Sequence, residues 1–193
     1  MIALLDVSKK ICWSLLAFLV FSSGFSSGNT TEYPVNYEMV LRSDEHFIPV
    51  ATCGPLLIGV MDARFQREIG TAGLTEEALG VFYIIDLWTV NISEGEASLY
   101  SPRIHLIDEA GRKYQMSETA TLTSTLSSSE EYSHVMLFLD LTPNIQYVIR
   151  LIFDVDEEFD PFTAKLGIAS GKWGSKEEYS YIWARQMTPA DFI

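Results

Sequence analysis

The feature that most constrains this chain is a succession of short runs rich in β-branched and aromatic residues, each bounded by Gly, Pro, Asn, Asp or Ser. Such runs fit a pleated, half-buried surface and are cut to strand length by their turn residues. The strongest is "LGVFYIIDLWTVNI", residues 79–92, where apolar and aromatic side chains are nearly continuous and Ala, Lys and Glu are absent. A buried helix has the same density of apolar residues, but the weight of Val, Ile, Tyr, Phe, Trp and Thr selects a strand, and its continuity places it centrally in a sheet.

The other runs fall on either side. "LLIGVMDARF" (56–65) precedes a glycine- and charge-rich stretch, 66–80, which reads as a loop with one helical turn around Leu74 to Leu79. "SPRIHLIDEAGRKYQMS" places Ile104 and Leu106 before, and Tyr114 and Met116 after, a polar interruption containing Gly111, the pattern of a hairpin. Residues 117–133 are dominated by Ser and Thr and read as a mobile loop with room for an edge strand. Runs at 134–141 and 145–155 are separated by "TPN", whose proline and asparagine supply turn angles. In the second of them Ile145, Tyr147, Ile149, Leu151 and Phe153 share one face and Gln146, Val148, Arg150, Ile152 and Asp154 the other. "TAKLGIAS" (163–170) and "EYSYIWARQM" (178–187) bring the expected total to seven or eight strands. Many short strands without intervening amphipathic helices specify an all-β, antiparallel sandwich.

The first 28 residues have a different character. Lys9 and Lys10 precede "ICWSLLAFLVF" and small residues follow in "SSGFSSG", the order of a secretory signal peptide, with a cleavage point after Gly28 flanked by Ser26. The alternative is a retained helix anchoring the chain in a membrane through residues 11–25, a stretch short of the roughly 20 residues a span requires. The expected organisation is a signal peptide at 1–28, a polar spacer at 29–52, a sandwich at 53–170 and a C-terminal strand and tail at 171–193. The expected location is secreted, extracellular or periplasmic.

Cleavage takes Lys9, Lys10 and Asp6 from 13 basic and 26 acidic residues and leaves 11 and 25, a net charge of −14. A domain of that charge repels nucleic acid and anionic lipid surfaces and favours solubility, cationic ligands or divalent ions without selecting among them; membrane contact is expected only through a retained leader. Cleavage also removes Cys12 and leaves Cys53 alone, read as a small buried apolar side chain rather than a bridge or reactive thiol.

One stretch invites a chemical reading. "LIFDVDEEFDPF" (151–162) holds Asp154, Asp156, Glu157, Glu158 and Asp160 within seven residues. In the register of a helix-loop-helix calcium loop Asp154, Asp156 and Glu158 fill places one, three and five. Place six then holds Phe159 instead of glycine and place twelve Lys165 instead of glutamate, which excludes that motif. A looser calcium site, or a solvated strand end, stays open. His46, His105 and His134 have no metal spacing, and His105, between Ile104 and Leu106, is expected on the polar face of its strand. Trp88, Trp173 and Trp183 fit a sandwich core or an aromatic groove. The sequons at Asn29 and Asn91 would matter in a eukaryotic secretory pathway. No nucleophile elbow, phosphate loop or zinc-protease motif occurs, so no catalytic, cofactor-binding or metal residue is assigned.

Four of these segments, in order, form a recognisable set: the long strand "VFYIIDLWTVN" ending at Asn91; "LIDEAGRKY" with Leu106, Asp108, Gly111, Arg112 and Tyr114; "LTPN" at 141–144; and "FDV" at 153–155. Over roughly residues 55–170 the chain resembles the exported bacterial domains of unknown function 4352. That resemblance implies an immunoglobulin-like sandwich and brings no catalytic residue. Asn144 stands where the family has glycine, and the family's lipid-attachment cysteine is missing.

The expected function is an exported, non-catalytic immunoglobulin-like domain that binds a protein or envelope partner through loops or a strand edge. The alternatives are a calcium-dependent module using the 154–160 loop and a hydrolase assembled from dispersed residues.

Overall fold

The computed structural model describes residues 33, 35, 37–41, 47–71, 73–127, 132–135, 138–169, 178–187 and 191. The expected signal helix, the cleavage point, Cys12, Asn29, His46 and Trp173 lie outside them, as does the side chain of His134.

Among these residues the chain is almost entirely β. A six-stranded sheet runs in the order β1 (Glu38–Leu41), β2 (Phe47–Cys53), β3 (Leu56–Thr71), β4 (Leu74–Asn91), β10 (Gln146–Val155) and β8 (Ser133–His134). Every pairing in it is antiparallel except β8 with β10. A four-stranded antiparallel sheet follows the order β12 (Tyr179–Trp183), β11 (Lys165–Ala169), β6 (Ile104–Ile107) and β7 (Lys113–Gln115). A ribbon of β5 (Ala97–Tyr100) and β9 (Phe138–Leu141) joins them.

The two sheets share one core, which makes the fold a sandwich. From the larger sheet Leu56, Ile58, Val60, Tyr83, Ile85, Leu87, Ile149, Leu151 and Phe153 point inward. They meet Ile104, Leu106, Leu166, Ile168 and Ile182 of the smaller, with Leu99 and Leu141 of the ribbon. Burying one such side chain contributes roughly 1.5–3 kcal/mol, so the alternation of period two along β4 and β10 is the main determinant of register. Cys53 belongs to this core, its thiol donating to the Ile168 carbonyl at 3.1 Å.

Several sequence readings hold in detail. β4 is central, flanked by β3 and β10 along most of its length. The hairpin at Gly111 forms, with φ +79° at the glycine and β6 paired to β7. Asn144 adopts φ +60°, the left-handed angle that lets it stand in for glycine.

Other readings are corrected. Twelve strands occur among the described residues, not seven or eight. The sheet begins at Glu38, upstream of the expected start at Cys53, because β1 and β2 pair as a hairpin. Residues 66–80 are not a loop: β3 and β4 continue as a two-stranded arm, pairing Glu68 with Glu77 and Thr71 with Leu74. Most of the arm's side chains face solvent on both sides, so it lacks the apolar alternation that marks a half-buried strand. Residues 118–127 form a helix, α1 (Glu118–Ser127), where a mobile loop was expected. The Ser117 carbonyl accepts from the Thr121 amide at 3.0 Å and its hydroxyl accepts from Ala120 N at 3.3 Å, an N-cap arrangement. The helix buries Ala120, Thr121, Thr123 and Ser124 and leaves Leu122 and Leu126 exposed. Ala120 seals a second cluster of Ile69, Phe82, Ile84 and Ile152 on the outer face of the large sheet.

Candidate functional site

The 154–160 carboxylates end up in separate duties. Asp154 accepts from the backbone amides of Leu79 (2.8 Å) and Gly80 (3.1 Å), continuing the β4–β10 ladder through a side chain. Glycine is required at 80 because a Cβ there would lie 2.2 Å from the Val155 carbonyl oxygen. Asp156 takes the Arg112 guanidinium and the Tyr114 hydroxyl (3.0 Å), and Glu157 takes Arg67 at 2.9 Å. Asp160 turns back on the Phe162 amide at 2.9 Å. Between them Phe159 is buried against Tyr83, with centroids 5.2 Å apart, and Tyr114, 5.7 Å away. This anchor occupies the place where a calcium loop has its glycine. Among the described residues no three His, Cys, Asp or Glu side chains gather in a metal-binding group.

The "LIDEAGRKY" segment supplies the other half of this cluster. Asp108 accepts from Arg112 N at 2.8 Å and Arg112 Nε at 2.5 Å, and from the Tyr114 hydroxyl at 3.3 Å. Burial acts to raise the Asp108 pKa, but the Arg112 backbone and side-chain bonds outweigh it and hold the carboxyl below its ordinary value. Burial first, and then the hydrogen bond to Asp156, push the Tyr114 hydroxyl up to about 12.

Asn91 is a structural hub, fully buried. Its amide nitrogen donates to the Gly95 (2.7 Å) and Leu141 (2.8 Å) carbonyls, its side-chain oxygen accepts from Ser93 N, and its own carbonyl accepts from Asn144 N at 2.8 Å. Two members of the sequence set, Asn91 and Asn144, thus meet at one sandwich corner.

His105 does not project from a polar face. It is 3% exposed, packed beneath Tyr179 with ring centroids 4.8 Å apart and facing Gly167 of β11. Trp88 is buried with Ile48 and Val50, its Nε1 donating to Gln146 at 3.3 Å. Trp183 is half-buried beside Lys165.

The constellation that sequence reasoning missed lies on the outer face of the large sheet. Register places Asp86 of β4 directly between Arg150 of β10 and Asp62 of β3. Arg150 grips Asp86 with Nε (2.8 Å) and Nη2 (2.9 Å), a bidentate pair that is 7% exposed at the arginine and 4% at the aspartate. Arg64 Nη1 donates to Asp86 at 2.9 Å and to Asp62 at 2.7 Å, bridging two carboxylates that would otherwise repel across the strands. The Arg150 guanidinium lies 3.6 Å from the Tyr132 ring centroid, in a cation–π stack. The register of β3 against β4 shifts between Val60 and Asp62, which puts Asp62 opposite Asp86. Together Met61, Asp62, Arg64, Asp86, Tyr132, Val148 and Arg150 line an open basin of about 390 Å³. Among the described residues its lining carries no Ser, Thr, Cys, His or Lys. Burial acts to raise the Asp86 pKa, yet the hydrogen bonds and charges of Arg150 and Arg64 prevail and keep it below the usual carboxylate value. The signal was present in the sequence: one acid in "VFYIIDLWTVN" and one base in "YVIRLIF", each alone in an apolar run.

No family model matches the chain, and no curated protein matches it significantly. Similar solved structures include a conserved hypothetical protein from Bacillus anthracis, at 14% identity and TM-score 0.47, with 75% of this chain and 95% of that one covered. The yjhA protein from Bacillus subtilis is similar at 15% identity and TM-score 0.42, covering 62% and 76%. A "putative lipoprotein (ycdA)" from Bacillus subtilis subsp. subtilis str. 168 is similar at 11% identity and TM-score 0.48, covering 70% of this chain and 38% of that one. Among the described residues no helix is long and apolar enough to cross a membrane.

Proposed function

We propose that the chain is an exported, non-catalytic, immunoglobulin-like β-sandwich of the domain-of-unknown-function-4352 type. On this reading it binds a protein or cell-envelope partner through the outer face of its six-stranded sheet. The observation that carries the reading is the basin around Asp86 and Arg150, whose charged groups are held on three adjacent strands of the sheet. Side chains locked on strands by reciprocal charge form a preorganised surface for recognition. A general acid or base works best with a pKa near the operating pH, and Asp86 and Asp108 are both displaced the other way. Export is supported by the basic, apolar and small segments of residues 1–28. The family type is supported by the four ordered segments that end at Asn91, Tyr114, Asn144 and Val155.

The test is retention from envelope extract by the full chain and by Arg64→Glu, with thermal unfolding of both recorded. A species retained by the wild type and lost by the folded variant supports the reading. Equal retention by both, or none by either, defeats it.

A further inference from the structure

We propose that the basin on the outer sheet face receives a single carboxylate carried on an apolar body, and that this carboxylate takes the place of Asp62 on the Arg64 guanidinium. The inference rests on the partner-binding reading above and names the chemistry that reading leaves open.

Arg64 is positioned before any ligand arrives. Its bond to buried Asp86 fixes the guanidinium, and Asp86 is itself held by both nitrogens of Arg150. Among the described residues the hydrogen bonds of Arg64 all run through Nη1, so Nε and Nη2 form the open side of the fork. A planar guanidinium with two such nitrogens matches a carboxylate bidentately.

The two acids bound to Arg64 differ in how easily they exchange. The side chain of Asp62 is 52% exposed, and that of Asp86 is 6% exposed. An exposed ion pair adds little to stability and dissolves readily into water, whereas removing the acid from a buried pair strands its arginine. An incoming carboxylate that engages Nε and Nη2 therefore draws Arg64 away from Asp62, whose carboxylate turns into water, while the bond to Asp86 is kept. The register shift between Val60 and Asp62 assists, because it interrupts the regular ladder beside Asp62.

The remainder of the basin selects the rest of the ligand. Met61, Val148 and the Tyr132 ring supply its apolar lining, and about 390 Å³ lies in the size range of small-molecule and side-chain pockets. The chain's net charge of −13 repels polyanions at long range. A lone carboxylate is governed by the arginines within a screening length, about 8 Å at physiological salt.

The test is titration of the ¹⁵N-labelled full chain with N-acetyl-leucine and with the capped dipeptide acetyl-leucyl-glutamate amide. The first offers a terminal carboxylate and the second a side-chain one. N-acetyl-leucinamide and inorganic phosphate, at matched ionic strength, serve as controls. Saturable shifts of the Arg64 Nε–H signal with at least one of the two acids, absent with the amide and weaker with phosphate, support the proposal. The acid that gives the tighter binding identifies the source of the carboxylate. Arg64→Gln abolishes the saturable shifts of the backbone amides of residues 61–64, 86 and 150, and Asp62→Asn, which removes the competing acid, tightens binding by up to about fivefold. Equal shifts from acid and amide, a phosphate response as strong as that of the acids, or unchanged or weaker binding in Asp62→Asn overturn it. If the envelope species is still lost on Arg64→Glu while both acids fail to bind, the carboxylate assignment falls and the partner-binding reading stands.

Discussion

Replacing Asp86 by Asn gives the sharpest energetic test of the outer-face network. The substitution is nearly isosteric, but it removes the charge that receives Arg150 Nε and Nη2 and Arg64 Nη1. One face of the new amide then presents N–H donors to guanidinium donors. Arg150 is 7% exposed, so its charge has little access to water. Breaking a buried pair by removing one partner costs about 3–5 kcal/mol. At about 2–4 °C per kcal/mol for a chain of this size, the midpoint of thermal unfolding falls by about 6–20 °C. Arg64→Gln removes one of three bonds to Asp86 and one to a largely exposed acid, so it costs only about 1 kcal/mol. The double variant Asp86→Leu with Arg150→Met replaces the pair by apolar side chains and is less destabilised than Asp86→Asn alone. Thermal and urea unfolding, both followed by tryptophan fluorescence, measure these. An Asp86→Asn loss below about 1 kcal/mol, or a double variant whose loss equals the sum of its two single changes, would refute the reasoning.

How much of this was legible beforehand depended on whether a segment buries one face. β4 and β10 alternate against a shared core, and their register follows from residues such as Tyr83, Ile85, Ile149 and Leu151. The Gly111 hairpin and the Asn144 turn were readable because backbone angles with positive φ select those residue types. The 66–80 arm was not, since Glu68, Glu76 and Glu77 lie on a ribbon wetted on both sides and only Ile69 is buried under α1. α1 inverts the usual amphipathic pattern, burying Ala and hydroxyl residues and exposing Leu122 and Leu126, so neither propensity nor periodicity reveals it. The Asp86–Arg150 pair is non-local, and its two charges interrupt apolar runs 64 residues apart. Pairing β4 with β10 in the correct register is what would have brought them together.

Other outcomes follow from the same geometry. The Asp86 and Asp108 pKa values lie below their ordinary value, so their contribution to stability is fully present above the unfolded carboxylate pKa of about 3.9 and is lost as pH falls through the folded values. The urea midpoint should be level from pH 7 to about 5 and drop below about 4, and an equal drop between pH 7 and 5 would contradict this. Asn91→Ala takes the Asn91 donor from the Leu141 and Gly95 carbonyls, the latter keeping only Ser93 Oγ, and should cost about 2–4 kcal/mol in urea unfolding, where a loss under 1 kcal/mol would deny it the hub role. Millimolar calcium should leave the unfolding temperature where chelator leaves it, because Asp154, Asp156, Glu157 and Asp160 already hold protein donors; a rise of several degrees would restore the calcium-loop reading.

Everything functional in this account depends on Asp86 facing Arg150 across the β4–β10 ladder. Interstrand backbone contacts in an NMR spectrum of the labelled chain read that register directly. The account predicts contacts joining residue 86 to residue 150 on one side and to residue 62 on the other. Contacts joining residue 86 to Ile149 or Leu151 instead would turn Arg150 to the opposite face of the sheet, dissolve the basin and contradict the account.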